Sequence, residues 1–261
     1  MKKSIYFLTL ILILAFFNNT FADRRYFGRS YLAYTMPAGE FEFELWNTGR
    51  IGKDMGFFYR FQPRFEFEYG VTDRLSASLY FNFDQITSEG NAFGSKPLGF
   101  ESTSIELRYR LTNPNEIFVD PALYFEFAYG GDKIDYESKA IFSKRLGNFI
   151  GVLNLSSEIE REVIEEENES AFEITGGLMY DVNPNFAFGF EFRNDRGYEG
   201  IYDEEESQAT FLGPTVNLQT ESFYITFNFM TQVAGSPSTG NNLDLLHHEK
   251  FEFRTILGIE L

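Results

Sequence analysis

The sequence predicts an all-β chain closing into an antiparallel up-and-down transmembrane barrel of about twelve strands, and three observations predict it. First, apolar and polar residues alternate with period two along nearly the whole chain, as in "GEFEFELWN" (39–47), where Phe41, Phe43 and Leu45 interleave with Glu40, Glu42 and Glu44. Such alternation is a strand with one apolar and one polar face. Second, the chain opens with Lys2, Lys3, an apolar run from Ile5 to Phe17 and the small-residue ending Thr20-Phe21-Ala22. This is the layout of a secretory signal peptide over 1–22, and the run is shorter than the roughly 20 residues of a spanning helix. Third, the links between alternating segments fall into short and long classes that take turns.

Twelve segments carry the pattern, and no stretch of useful length shows a helical period. The first is Glu40–Trp46. The second, Phe57–Tyr69, sets Tyr59, Phe61, Phe65, Phe67 and Tyr69 against Arg60, Gln62, Arg64, Glu66 and Glu68. The third is Leu75–Phe83. The fourth, Glu101–Leu111, sets Ile105, Leu107 and Tyr109 against Glu106, Arg108 and Arg110, and the fifth, Val119–Tyr129, carries Leu123, Phe125 and Phe127 in phase. Ile134–Leu146 and Phe149–Ile159 alternate less cleanly. Phe172–Tyr180, Phe186–Phe192 ("FAFGFEF"), Ala209–Leu218, Phe223–Val233 and Lys250–Leu261 complete the set. Each is about long enough to cross a bilayer as a tilted strand. Pro63 and Pro121 require a strand end or a bulge.

Links after even-numbered segments are short and rich in Asn, Asp, Pro and Gly, as turns are. Those after odd-numbered segments are mostly long and polar: 84–99, 160–170, 194–208 and 234–248, with only 130–132 brief. Short turns on one side and long loops on the other are the plan of bacterial outer-membrane barrels, with both termini on the periplasmic side. A barrel is also the only way a chain without spanning helices satisfies its backbone in lipid.

Alternation alone does not say which face is inside, and a soluble periplasmic barrel would turn its apolar face inward. Export, the two-sided link lengths, an apolar phase running to the last residue, and polar rows dense in both signs of charge all favour apolar residues facing lipid. Composition agrees: 32 Phe and 15 Tyr stand beside a formal charge of −17, and cysteine is absent. The acidic balance argues against nucleic acid, which needs basic patches.

The terminal "FEFRTILGIEL" resembles the C-terminal sorting strand of outer-membrane proteins, with Leu261 in place of the usual Phe. The segments "YTMPAGEFEFELWN", "FEFEYGVTDRLSASLYF" and "IELRYRL" resemble outer-membrane barrel families named as transporters, including the phenol meta-cleavage-pathway proteins. The resemblance covers mainly the first half of the exported chain. It implies a barrel and transport, and it supplies no binding residues.

The phasing turns Glu40, Glu42, Glu44, Glu66, Glu68, Glu106, Glu126, Asp135, Glu137, Glu158, Glu173, Glu191, Glu252 and Glu260 into the lumen, with Arg60, Arg64, Arg108, Arg110, Lys139, Arg145, Arg193 and Arg254. The Glu40/Glu42/Glu44 row is expected across from Arg60 and Arg64. Charged rings of this kind select solutes, and the excess of carboxylates predicts a mild cation preference. The competing reading is a closed, ion-paired lumen in a structural or surface-interaction barrel.

Trp46, Tyr59, Tyr69, Tyr109, Tyr129 and Tyr180 are expected in the interfacial girdle. The acidic runs in 158–169 and 202–207 read as solvated faces rather than calcium sites. His247 and His248 read as an exposed pair without the nucleophile that a lipid-modifying enzyme needs. No enzyme motif, cofactor or metal is expected. The expected partners are outer-membrane lipids, lipopolysaccharide, the barrel-assembly machinery and small solutes.

Overall fold

Twelve antiparallel strands close into one barrel, each paired with its sequence neighbours and the first with the last. The computed structural model describes residues 25–54, 56–89, 94–164 and 166–261, so the expected signal peptide lies outside the described residues. The strands are β1 (Phe41–Ile51), β2 (Phe58–Thr72), β3 (Leu75–Ser88), β4 (Lys96–Arg110), β5 (Asp120–Tyr129), β6 (Lys133–Leu146), β7 (Phe149–Glu162), β8 (Asn168–Asn183), β9 (Phe186–Glu199), β10 (Glu204–Gln219), β11 (Phe223–Ser236) and β12 (Phe251–Glu260). The seam runs from Glu42↔Glu260 to Ile51↔Phe251 without a slip, which leaves no open edge.

All twelve expected segments are strands, and several run further than their hydrophobic pattern. β3 continues to Ser88, β7 to Glu162 and β9 to Glu199, while β8 starts at Asn168 and β10 at Glu204. Three of the stretches expected as long loops, 84–99, 160–170 and 194–208, are therefore largely ladder, while 237–250 stays a loop. The backbone goes on pairing above the bilayer, where both faces are wet and alternation carries no signal. Link lengths are also less two-sided than expected: residues 111–119 make a longer inner link than the outer 130–132 or 200–203.

The prolines sit where rungs are missing. Pro63 stays in register with Asn47 of β1, but the β2–β3 ladder passes from Phe61↔Gln85 to Arg64↔Asn82. Pro214 opens the β10–β11 ladder between Leu212↔Thr231 and Thr215↔Asn228. A ring nitrogen without a proton cannot donate to a rung. Pro121 lies one residue before Ala122, the first β5 residue paired with β4.

The exterior is apolar. Phe125 is 47% exposed and Phe190 66%, while Glu66 and Glu252 on the opposite face are fully buried. That sense is the inverse of a soluble barrel and places the wall in a bilayer. Aromatic side chains pack around the outside in cross-strand pairs such as Phe43–Phe65 and Phe229–Phe251. Tyr69, Tyr109 and Tyr129 are exposed near strand ends, as girdle residues should be.

Lipid exposure makes a testable distinction. Phe190→Arg is expected to cost about 2–4 kcal/mol in urea unfolding of vesicle-inserted protein, the cost of an arginine on the lipid face near the midplane. A change within about 0.5 kcal/mol, as for an ordinary soluble surface, would contradict this orientation.

Candidate functional site

The lumen is filled in its periplasmic half by the chain's own N-terminal segment, residues 25–38, which precedes β1. The segment is a loop with both ends at the inner mouth. Arg25 lies beside Glu44 and Asn217 near the inner strand ends, and the Ala38 amide donates to Asp73 in the inner β2–β3 turn. Its apex, Gly28–Ser30, reaches the middle of the lumen. There the amides of Gly28, Arg29 and Ser30 donate to the Glu191 carboxylate at 2.7, 2.9 and 2.9 Å. The Thr215 hydroxyl and the Asn228 amide add two more bonds to Glu191 at 2.6 and 3.0 Å. Consecutive amides turned onto one anion form a concave nest, here with the anion supplied by the wall.

Further bonds hold the rest of the segment. Asn154 clamps Tyr31 at both its amide (2.6 Å) and its carbonyl (2.9 Å), and Ser143 accepts from the Ala33 amide. Arg25 pairs with Glu44 at 3.1 Å and Arg29 with Glu252 at 3.0 Å. Tyr26 and Phe27 pack on Ile150, Val152, Met179 and Ala187, and Tyr31 packs among Trp46, Tyr124, Ile141 and Tyr224. Two glycines make the room. A Cβ at Gly177 would stand 2.5 Å from the Phe27 ring, and one at Gly70 would stand 1.8 Å from the Pro37 carbonyl oxygen.

Beneath the segment lies an acidic band. The register sets Glu42 opposite Glu68 and Glu44 opposite Glu66, while Trp46 faces Arg64 and Arg50 faces Arg60. The expected Glu-to-Arg pairing between the first two strands is therefore corrected, because the register offsets the two rows by one level. The band is compensated from elsewhere. Arg108 pairs with Glu106 at 2.7 Å and Glu68 at 3.6 Å. The Tyr80 hydroxyl donates to Glu66 (2.9 Å) and to Glu106, the Tyr224 hydroxyl donates to Glu42 (3.0 Å) and Glu44, and Arg25 comes from the segment.

Above the segment a cavity of about 460 Å³ reaches the outer β5–β6 turn at Gly130, Asp132 and Lys133. Of the residues expected on the solute path, Arg60, Arg64, Glu126 and Arg254 line it, with Asp135, Glu137, Lys139, Glu158 and Glu173 of the wider lumen set. Arg60 pairs with Asp84 at 2.7 Å and Arg64 with Glu126 at 3.2 Å. Glu42, Glu44, Glu66, Glu68, Glu106, Arg108, Glu191, Arg193 and Glu252 are buried away from it. Glu40, Arg110 and Glu260 stand at the inner rim, as does Arg145, whose guanidinium bonds the Tyr26 hydroxyl.

The sequence reading missed Arg25, Arg29, Arg50 and the inward tyrosines. Parity would have found Arg50, Tyr80, Tyr124 and Tyr224, and it also corrects Trp46. Trp46 shares the phase of Glu42 and Glu44, is 3% exposed, and carries the Arg25 guanidinium 4.4 Å above its ring instead of sitting in the girdle.

The two histidines are likewise not an exposed pair. Residues 237–250 fold back into the outer mouth, where Gln232 bonds both Asp244 and Glu249, and Arg193 pairs with Glu249 at 2.7 Å. His248 is 8% exposed, its Nε2 lies 3.3 Å from the Ser207 hydroxyl, and its Nδ1 lies 3.9 Å from Asp195. Burial pushes its imidazole below the ordinary range. Ser207 is itself buried. Among the described residues, no group of three or more acidic, His or Cys side chains is placed to hold a metal.

Comparison with known proteins places the fold. The COG4313 outer membrane channel from Pseudomonas putida F1 superposes with a TM-score of 0.65 at 13% identity, over 88% of this chain and 98% of that one. The NanC porin gives 0.57 at 9% identity over 84% and 100%. The KdgM porin in complex with disordered oligogalacturonate gives 0.51 at 8% over 84% and 99%. At these identities the likeness is one of fold. No curated protein matches the sequence. One family profile, described as a family of unknown function (DUF6662), matches residues 19–138 and 139–261.

The nest gives the test of the segment's anchoring. Bonds to a charged group are worth about 1.5–3 kcal/mol each, and about 1.4 kcal/mol is a factor of ten. Glu191→Ala should therefore speed tryptic cleavage at Arg25 and Arg29 in the folded barrel by about tenfold or more. The exposed control Glu205→Ala should leave the rate unchanged. Equal rates for all three proteins would mean that Glu191 does not hold the segment.

Proposed function

The chain belongs to the DUF6662 family, and from its geometry we propose that it is a channel moving small solutes or ions passively across the bacterial outer membrane, closed at its periplasmic half by residues 25–38. One observation carries the reading. The charged cavity descends from the outer rim to Arg29 and Tyr31, where the floor is a removable loop of the chain and not the wall. The path then runs past Arg60, Arg64, Glu126 and Arg254. Once the loop withdraws, it continues past Glu42, Glu44, Glu66, Glu68, Glu106 and Arg108. Nine carboxylates against seven cations around the cavity keep the expected cation preference small. The neighbours' descriptions as channel and porins support the same class. Outside, the aromatic wall takes lipid, the polar strand extensions meet lipopolysaccharide, and the terminal strand Phe251–Leu261 engages the assembly machinery.

The alternative is a non-conducting barrel that works through its outer surface, and the many bonds holding the loop favour it. Planar-bilayer recordings separate the two. Deleting residues 25–38 should raise single-channel conductance several-fold over the intact chain. Arg60→Ala with Arg64→Ala should then move the reversal potential toward stronger cation selectivity. A deletion variant that inserts but stays silent would favour the sealed barrel.

A further inference from the structure

Charge around the outer cavity is sorted by wall. In a closed ring of twelve strands β1 faces β7. On the β12–β1–β2 side stand Arg254, Arg50, Arg60 and Arg64; on the β6–β9 side the carboxylates Asp135, Glu137, Glu158, Glu160, Glu173 and Asp195 outnumber the two lysines Lys133 and Lys139. Like charges even sit directly opposite one another across neighbouring strands: Arg50↔Arg60 on one wall, Glu137↔Glu158 and Glu173↔Asp195 on the other. Such pairs destabilise a sheet, and alternating signs would have avoided the cost.

Neutralisation is partial on both sides. Arg60 and Arg64 have carboxylate partners, Lys139 meets Glu137 at 3.0 Å, and Arg29 from the loop lies 3.9 Å from Glu173. One cation and two carboxylates are left over: Arg254 on the basic wall, and Asp135 and Glu158 on the acidic wall, where the Asp135 Oδ1 is buried without a partner. Arg254 bonds the Thr48 hydroxyl and the Gly28 carbonyl and has no ion-pair partner within 4 Å among the described residues. Glu158 forms no hydrogen bond or ion pair with any described residue.

We propose that this vestibule binds amphoteric solutes, with the anionic end at Arg254 and its neighbours and the cationic end at Glu158 and its neighbours. A singly charged solute drawn to one wall is turned away by the other, whereas a solute charged at both ends lies across the field and satisfies both walls. Twelve strands about 4.8 Å apart, tilted by about 40°, close on a backbone radius of roughly 12 Å. With side chains reaching in from both walls, the opposed charges stand roughly 10 Å apart, the span of three extended residues. Short zwitterionic peptides are therefore the chemical class that fits. The inference deepens the channel reading and rests on it for the solute's onward route.

Isothermal titration of the detergent-solubilised chain with triglycine, its N-acetyl form and its C-terminal amide tests the proposal on unmodified protein. The zwitterion should bind about tenfold more tightly than either blocked form. Glu158→Gln should reduce it to the level of N-acetyl-triglycine, and Arg254→Gln to that of the amide. Equal affinities, or no binding of triglycine at millimolar concentration, would overturn the proposal. Conductance measured on the same preparation keeps the two readings apart. Ion flux without zwitterion preference would remove this inference and spare the channel, while zwitterion binding without flux through the loop-deleted barrel would do the reverse.

Discussion

Everything in the molecule follows from the seam between β1 and β12. Ten consecutive residue pairs join the first strand to the last, and this turns an open sheet into a wall with an inside and an outside. Lipid offers no hydrogen-bond partner, so the wall must be complete. Once it is complete, every strand presents alternate residues to two different solvents. Phenylalanine and leucine go to the acyl chains, and glutamate and arginine are enclosed. The missing rungs at Pro63 and Pro214 each affect one side of one strand and leave the other side paired.

Enclosure creates an electrostatic problem that the N-terminal loop solves. Glu42, Glu44, Glu66, Glu68 and Glu106 crowd the periplasmic half of the lumen and are all buried. An uncompensated buried charge is very costly. The wall contributes Arg108 and the hydroxyls of Tyr80 and Tyr224. The loop contributes Arg25 to this band and Arg29 to Glu252, and it offers three backbone amides to Glu191. A basic loop in an acidic lumen is thus complementarity within one chain, and it leaves the outer cavity as the wet part of the interior.

The lipid-facing architecture was legible because it repeats. Alternation located all twelve strands, and parity put Glu66, Glu126, Arg193 and Glu252 on the correct face. Three things were not legible, for separate reasons. Cross-strand register depends on turns and bulges, so Glu44 met Glu66 where an arginine was expected. Strand ends above the membrane lose the hydrophobic contrast, so 194–208 read as loop although most of it is ladder. The loop before β1 has no period at all, and its only trace is basic and aromatic residues clustered ahead of an acidic barrel. Trp46 was different. Its parity was in plain sight, and a residue-type preference for the interface overrode it.

The topology of the segment bears on how it could ever leave. Because Arg25 and Ala38 both lie near the periplasmic opening while Gly28–Ser30 forms the tip, the peptide is inserted and not threaded. No free end has to travel through the cylinder, and no rung of the wall has to break. Extraction would be a straight withdrawal toward the periplasm, like a cork drawn by a string tied where Ala38 leads into β1, and reinsertion would retrace the same route.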